Sequence, residues 1–85
     1  MTTAEIKEKF ETYLNVEVED LKRSYDDEYS MKMFSAEKLR THSIKCMLGA
    51  SQFIQFLGVS YKDTNEIYTK YRDEVDNLYK EYLAK

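Results

Sequence analysis

The sequence predicts an all-α fold, a three-helix up-down-up antiparallel bundle. Three observations point there. The 85 residues contain no proline and only two glycines, fewer turn formers than a sheet of this size needs. Apolar side chains recur at spacings of three and four along three long segments. Each segment is preceded by a residue able to cap a helix.

Thr2 and Glu5 have the spacing of a capping box, so the first helix starts near Thr3. Ile6, Phe10, Tyr13, Leu14, Val18, Leu21 and Tyr25 form its stripe, which drifts as a near-heptad repeat does and predicts a helix over about residues 3–30. Glu17 interrupts the stripe, and Asn15–Glu19, with two β-branched valines, is where a bend is expected. Met31–Phe34 reads as a connection. Ser35 then caps a second helix over 36–57, with Glu37 at the positive end of its dipole. At 1.5 Å per residue that helix is about 33 Å long.

On a wheel of about 100° per residue, Leu39, Cys46, Ala50, Phe53 and Leu57 share one line, with Met47 and Ile54 beside it. That line is expected to be the buried face. Ile44 and Leu48 point the other way, so the central helix is expected to lie sandwiched between its neighbours. Gly58 suits a left-handed C′ position and Val59 the apolar C″ contact of a Schellman stop. Asp63 and Glu66 repeat the capping-box spacing and predict a third helix over 63–84, with Ile67, Tyr68, Tyr71, Val75, Leu78, Tyr79, Tyr82 and Leu83 on its apolar face. Short connections make the helices antiparallel neighbours in one domain spanning 1–85.

The net charge of −3 hides an asymmetry. Residues 1–30 carry nine acids and four bases, net −5; residues 31–60 carry one and four, net +3; residues 61–85 carry six and five, net −1. The middle segment is therefore the basic one. A lone cysteine forms no internal disulfide and fits a reducing compartment. No apolar stretch approaches the ~20 residues of a membrane span, and MTTAEIKEKFE lacks the regions of a signal peptide, so a complete, soluble, cytoplasmic chain with no membrane partner is expected.

Leu57–Ser60, reading LGVS, resembles in its punctuation the turn of phage-repressor-type helix-turn-helix proteins, in which Gly ends one helix and Ser caps the recognition helix. The likeness covers about twenty residues and implies DNA binding through the helix that follows. Two departures stand against it: Ile54 occupies a place where that family has a small residue, and the following helix exposes Asp63 and Glu66, which repel phosphates. A Schellman stop accounts for the same four residues.

Lys38, Arg40, His42 and Lys45 form a basic collar, candidates for contact with nucleic acid or another anion, although pairing with acids of the first helix across the bundle is the favoured expectation. Asp26, Asp27 and Glu28 form a candidate acidic docking surface. His42 and Cys46, one turn apart, supply only two metal ligands per chain, so no metal and no cofactor are expected. Eight tyrosines suit half-buried positions and interfaces. Ile44, Leu48, Tyr25, Tyr29 and Tyr61 are the candidate protein interface, with Ile44 and Leu48 meeting symmetry mates in a homodimer.

Three helices of this size leave little room for convergent catalytic groups, and no enzyme is expected. The function read from the sequence is a small protein-interaction module that self-associates through the central helix. The alternatives are a nucleic-acid-binding accessory protein and a small acidic inhibitor of the kind mobile elements encode.

Overall fold

The computed structural model describes residues 1–85 as an all-α bundle measuring 42 × 19 × 16 Å. It contains α1 (Thr3–Asp26), α2 (Glu28–Met33), α3 (Ala36–Phe56) and α4 (Tyr61–Leu83). Three long helices are joined as predicted, and the short α2 is an addition.

The Thr2–Glu5 capping box is present in full, and α1 runs unbroken through Asn15–Glu19. It stops at Asp26 rather than near residue 30. The cause is Asp27, whose backbone turns extended while its carboxylate accepts from the Ser30 amide at 3.3 Å and the Ser30 hydroxyl at 2.8 Å, capping α2. Ser30 holds the Asp27 carboxyl below its usual range, as expected for an acid that accepts hydrogen bonds at a helix start. Ser35 caps α3 as predicted. At its far end Gly58 has φ +105°, its amide bonds to the Gln55 carbonyl at 3.0 Å, and the Val59 amide reaches the Ile54 carbonyl at 3.1 Å. These are the two bonds of a Schellman stop, and Val59 turns its side chain into the core. α4 begins two residues before its predicted start, because Ser60 rather than Asp63 is its cap. The Asp63 carboxylate instead pairs with Lys7 of α1 at 3.4 Å.

α1, α3 and α4 each pack on the other two, forming a triangular prism. α3 is therefore not sandwiched. Its buried residues are Ser43, Ile44, Met47, Ser51 and Ile54, centred about 90° around the wheel from the expected line. Serine is small enough to let neighbouring helices approach, and Ser51 satisfies its hydroxyl on the Met47 carbonyl at 2.9 Å. Thr64 does the same on α4, bonding the Ser60 carbonyl at 2.8 Å. Phe10, Leu14, Val18 and Leu21 of α1, with Tyr71 and Val75 of α4, complete the core.

Tyr25 belongs to that core and not to the surface. Its hydroxyl donates to the Ala36 carbonyl at 2.9 Å, and its ring stacks on Tyr82 with centroids 5.0 Å apart. Burial, reinforced by Tyr79, pushes its phenol up to about 12. An unfolded tyrosine ionises near its ordinary value of 10, so between the two values the unfolded chain releases a proton that the native chain keeps, and stability falls as pH rises. Tyr25→Phe is expected to cost about 1 kcal/mol at neutral pH through the lost hydrogen bond. The same variant should show a shallower loss than wild type above the ordinary tyrosine value. Urea unfolding at neutral pH and across that alkaline range measures both.

Candidate protein-docking groove

On the side of the prism away from α4, the first half of α1 and the second half of α3 enclose an open groove of about 550 Å³. Ile6, Phe10 and Tyr13 line it from α1, Cys46, Gly49, Ala50, Phe53 and Ile54 from α3, and Leu57 from the cap of α3, with Met1 at its open end. Lys9 is the single charged residue in the lining. The groove exists because α3 carries more apolar surface than one bundle can bury. The arc from Ser43 to Ile44 on the wheel faces the core, and the adjoining line through Cys46, Phe53 and Leu57 is left facing outward.

Phe53 remains 61% exposed and Leu57 43%. Phe56, one turn from Phe53 on the same flank, is 86% exposed. Gly49 keeps the floor low: a Cβ added there would meet nothing within 4 Å, so no packing inside the chain requires glycine, although glycine in a helix interior costs about 1 kcal/mol relative to alanine.

The polar side chains of His42 and Glu17 border the inner end of the groove without lining it. His42 Nε2 lies 3.6 Å from Cys46 Sγ. Burial, and then the neighbouring Glu17 carboxylate, raise the Cys46 thiol above its ordinary value, so at neutral pH it stays protonated and is a poor nucleophile. Burial and Glu17 likewise raise the Tyr13 phenol. No cluster of three or more His, Cys, Asp or Glu side chains able to hold a metal occurs in the chain.

The residues singled out in the sequence fall in separate places. Ile44 is buried at 9% exposure, Leu48 is 42% exposed, and Tyr29 and Tyr61 are exposed at opposite ends of the bundle. With Tyr25 in the core, these five do not gather into one patch. Arg40 leaves the basic collar: it pairs with Asp76 of α4 at 2.7 Å and lies over the Tyr79 ring at 5.4 Å. Lys38, His42 and Lys45 remain exposed without ion-pair partners, so the expected pairing with acids of the first helix is absent. Of the acidic trio, Asp27 is the α2 cap, Asp26 lies 3.7 Å from Lys85, and Glu28 is exposed in the first turn of α2.

Cys46, Ala50, Phe53 and Leu57 stand out in the sequence as an apolar line, which on periodicity alone reads as core. No helix is long and apolar enough to cross a membrane. The chain matches no protein-family model, no curated protein and no solved structure.

Proposed function

We propose that this chain is a small non-enzymatic protein-interaction module of the cytoplasm that receives apolar side chains of a protein partner in the α1/α3 groove. The observation that carries this reading is the exposed apolar surface of Phe53, Phe56 and Leu57 at the end of α3, beside a groove with one charged lining residue. At the usual 150–250 Å² per aromatic side chain, the two phenylalanines alone leave about 300 Å² of ring surface in water, in the range of the largest patch on a typical monomer.

A small-molecule site of this volume would carry several convergent polar groups to fix its ligand, and this lining offers Lys9, the Tyr13 phenol and a protonated thiol among apolar side chains. Catalysis is disfavoured on the same ground. Nucleic-acid binding is weakened by the engagement of Arg40 with Asp76, which leaves two lysines and a histidine as the collar. The acidic trio likewise offers little for docking, with Asp27 engaged as a cap.

Site-specific photo-crosslinking in the cells of origin tests the reading. A photoreactive residue at position 53 is expected to yield discrete protein adducts, and one at the exposed Asn77 of α4 is expected to yield none. No adduct at 53, or the same adducts at both positions, would count against it.

A further inference from the structure

We infer that the occupant of the groove is a second copy of this chain, docked about a two-fold axis parallel to the helices. The inference rests on the docking reading above and names its partner. Two features of the α1/α3 face support it: its area and the arrangement of its charges.

Phe53, Phe56 and Leu57, together with Met1 and Tyr13, leave roughly 600 Å² of side-chain surface exposed, three quarters of the ~800 Å² that each partner contributes to a standard interface. The polar margins of the same face supply the remainder.

Along the face, height is set by the antiparallel run of α1 and α3, which places Tyr13 beside Cys46 in the groove and Tyr25 beside Ala36. One end is apolar, from Ile6 and Phe53 to Leu57. The other is charged, and its charge is split between the helices. α1 presents Glu17, which has no ion pair, and Asp20, paired only with its exposed neighbour Arg23. α3 presents Lys38, His42 and Lys45, also unpaired.

A two-fold axis parallel to the helices lays α1 of one copy on α3 of the other at equal height. Apolar end then meets apolar end, and Glu17 and Asp20 meet the partner copy's cations. An axis across the helices would instead set α1 on α1 with heights reversed, the apolar end of each copy on the charged end of the other and Glu17 and Asp20 away from the partner copy's cations. The first arrangement is self-complementary and the second is not. It also gives the unpaired collar a partner, and the low floor at Gly49 room for a close approach.

Sedimentation equilibrium of the full chain from about 1 to about 200 µM is expected to show a monomer–dimer equilibrium, a range that suits a moderate interface. Phe53→Glu, at an exposed position, should leave the helical signal intact and weaken dimerisation about 100-fold, as loss of a buried aromatic anchor does. Glu17→Lys with Asp20→Lys, and separately Lys38→Glu with Lys45→Glu, should each weaken self-association about tenfold. An equimolar mixture of those two charge variants should form heterodimers at close to wild-type strength, since each then carries what the other lacks.

A monomer throughout the range overturns the inference. If crosslinking at position 53 nevertheless captures a different protein, the docking reading stands with that protein as occupant. A dimer indifferent to Phe53→Glu, unweakened by either charge pair, or not restored by mixing overturns the proposed axis.

Discussion

Leu14→Ala is expected to lower the stability of this chain by about 3 kcal/mol, from the 2–5 kcal/mol range measured for leucine truncations in packed cores. Leu14 has no exposed surface, sits mid-way along α1, and belongs to the cluster shared by all three long helices. Two terms add: the transfer free energy of the lost methyl groups, and the cavity left because three mutually braced helices cannot all close on the gap. At roughly 0.05–0.15 kcal/mol per residue, 85 residues carry about 4–13 kcal/mol in total, so a quarter or more of the stability rides on this side chain. The melting temperature should fall by roughly 12–24 °C, at 4–8 °C per kcal/mol for a domain of this size. In urea the midpoint should drop with the slope unchanged, because the surface exposed on unfolding is nearly the same. Tyr29→Ala is the control. Its side chain is 70% exposed on α2, and its effect should stay within about 0.5 kcal/mol. A Leu14→Ala loss no larger than that of Tyr29→Ala would mean that α1 is not pinned at its centre.

The contrast between Leu14 and the misassigned face of α3 shows what a one-dimensional pattern carries. On α1 the apolar stripe and the buried stripe coincide, because Phe10, Leu14, Val18, Leu21 and Tyr25 are large and no other face of that helix competes. On α3 two faces compete, and the bundle chose the one built around Met47 with Ser43 and Ser51 on its flanks. A wheel that scores serine as polar points away from that face. What the wheel omits is volume: close helix approach favours small side chains, and a serine hydroxyl bonded to its own helix no longer needs water. The same blindness moved the start of α4, where Ser60 and Asp63 both look like caps and only the backbone decides between them. The stops were easier. Gly58 is the single residue of the chain with positive φ, and a glycine after a long apolar run announces its role. The break at Asp27 was legible in principle from Asp27 and Ser30, a cap and its N3 partner, but it is masked by acids on either side.

Ile44→Glu is expected to unfold most of the chain at neutral pH, whereas Leu48→Glu, one turn away, should cost at most about 1 kcal/mol. Helical spacing alone puts the two residues on one side of α3, and the sequence treats them alike. The triangular packing separates them: Ile44 is held within the core cluster at 9% exposure, and Leu48 stands 42% exposed at its edge. A carboxylate at position 44 must either be buried without a counter-ion, at a cost of several kcal/mol, or push the helices apart and forfeit neighbouring contacts. Either loss approaches the total stability of a domain this small. At position 48 the carboxylate can stay in water, and only part of the leucine's apolar burial is given up. Far-ultraviolet circular dichroism at one temperature separates the pair, with helical signal kept by Leu48→Glu and largely lost by Ile44→Glu. The same two proteins bear on the dimer. Leu48 lies about 140° around the wheel from Phe53, off the groove face, so Leu48→Glu should dimerise as wild type does. If Leu48→Glu were instead a folded monomer, self-association would run through the far side of α3, and the α1/α3 groove would need another occupant.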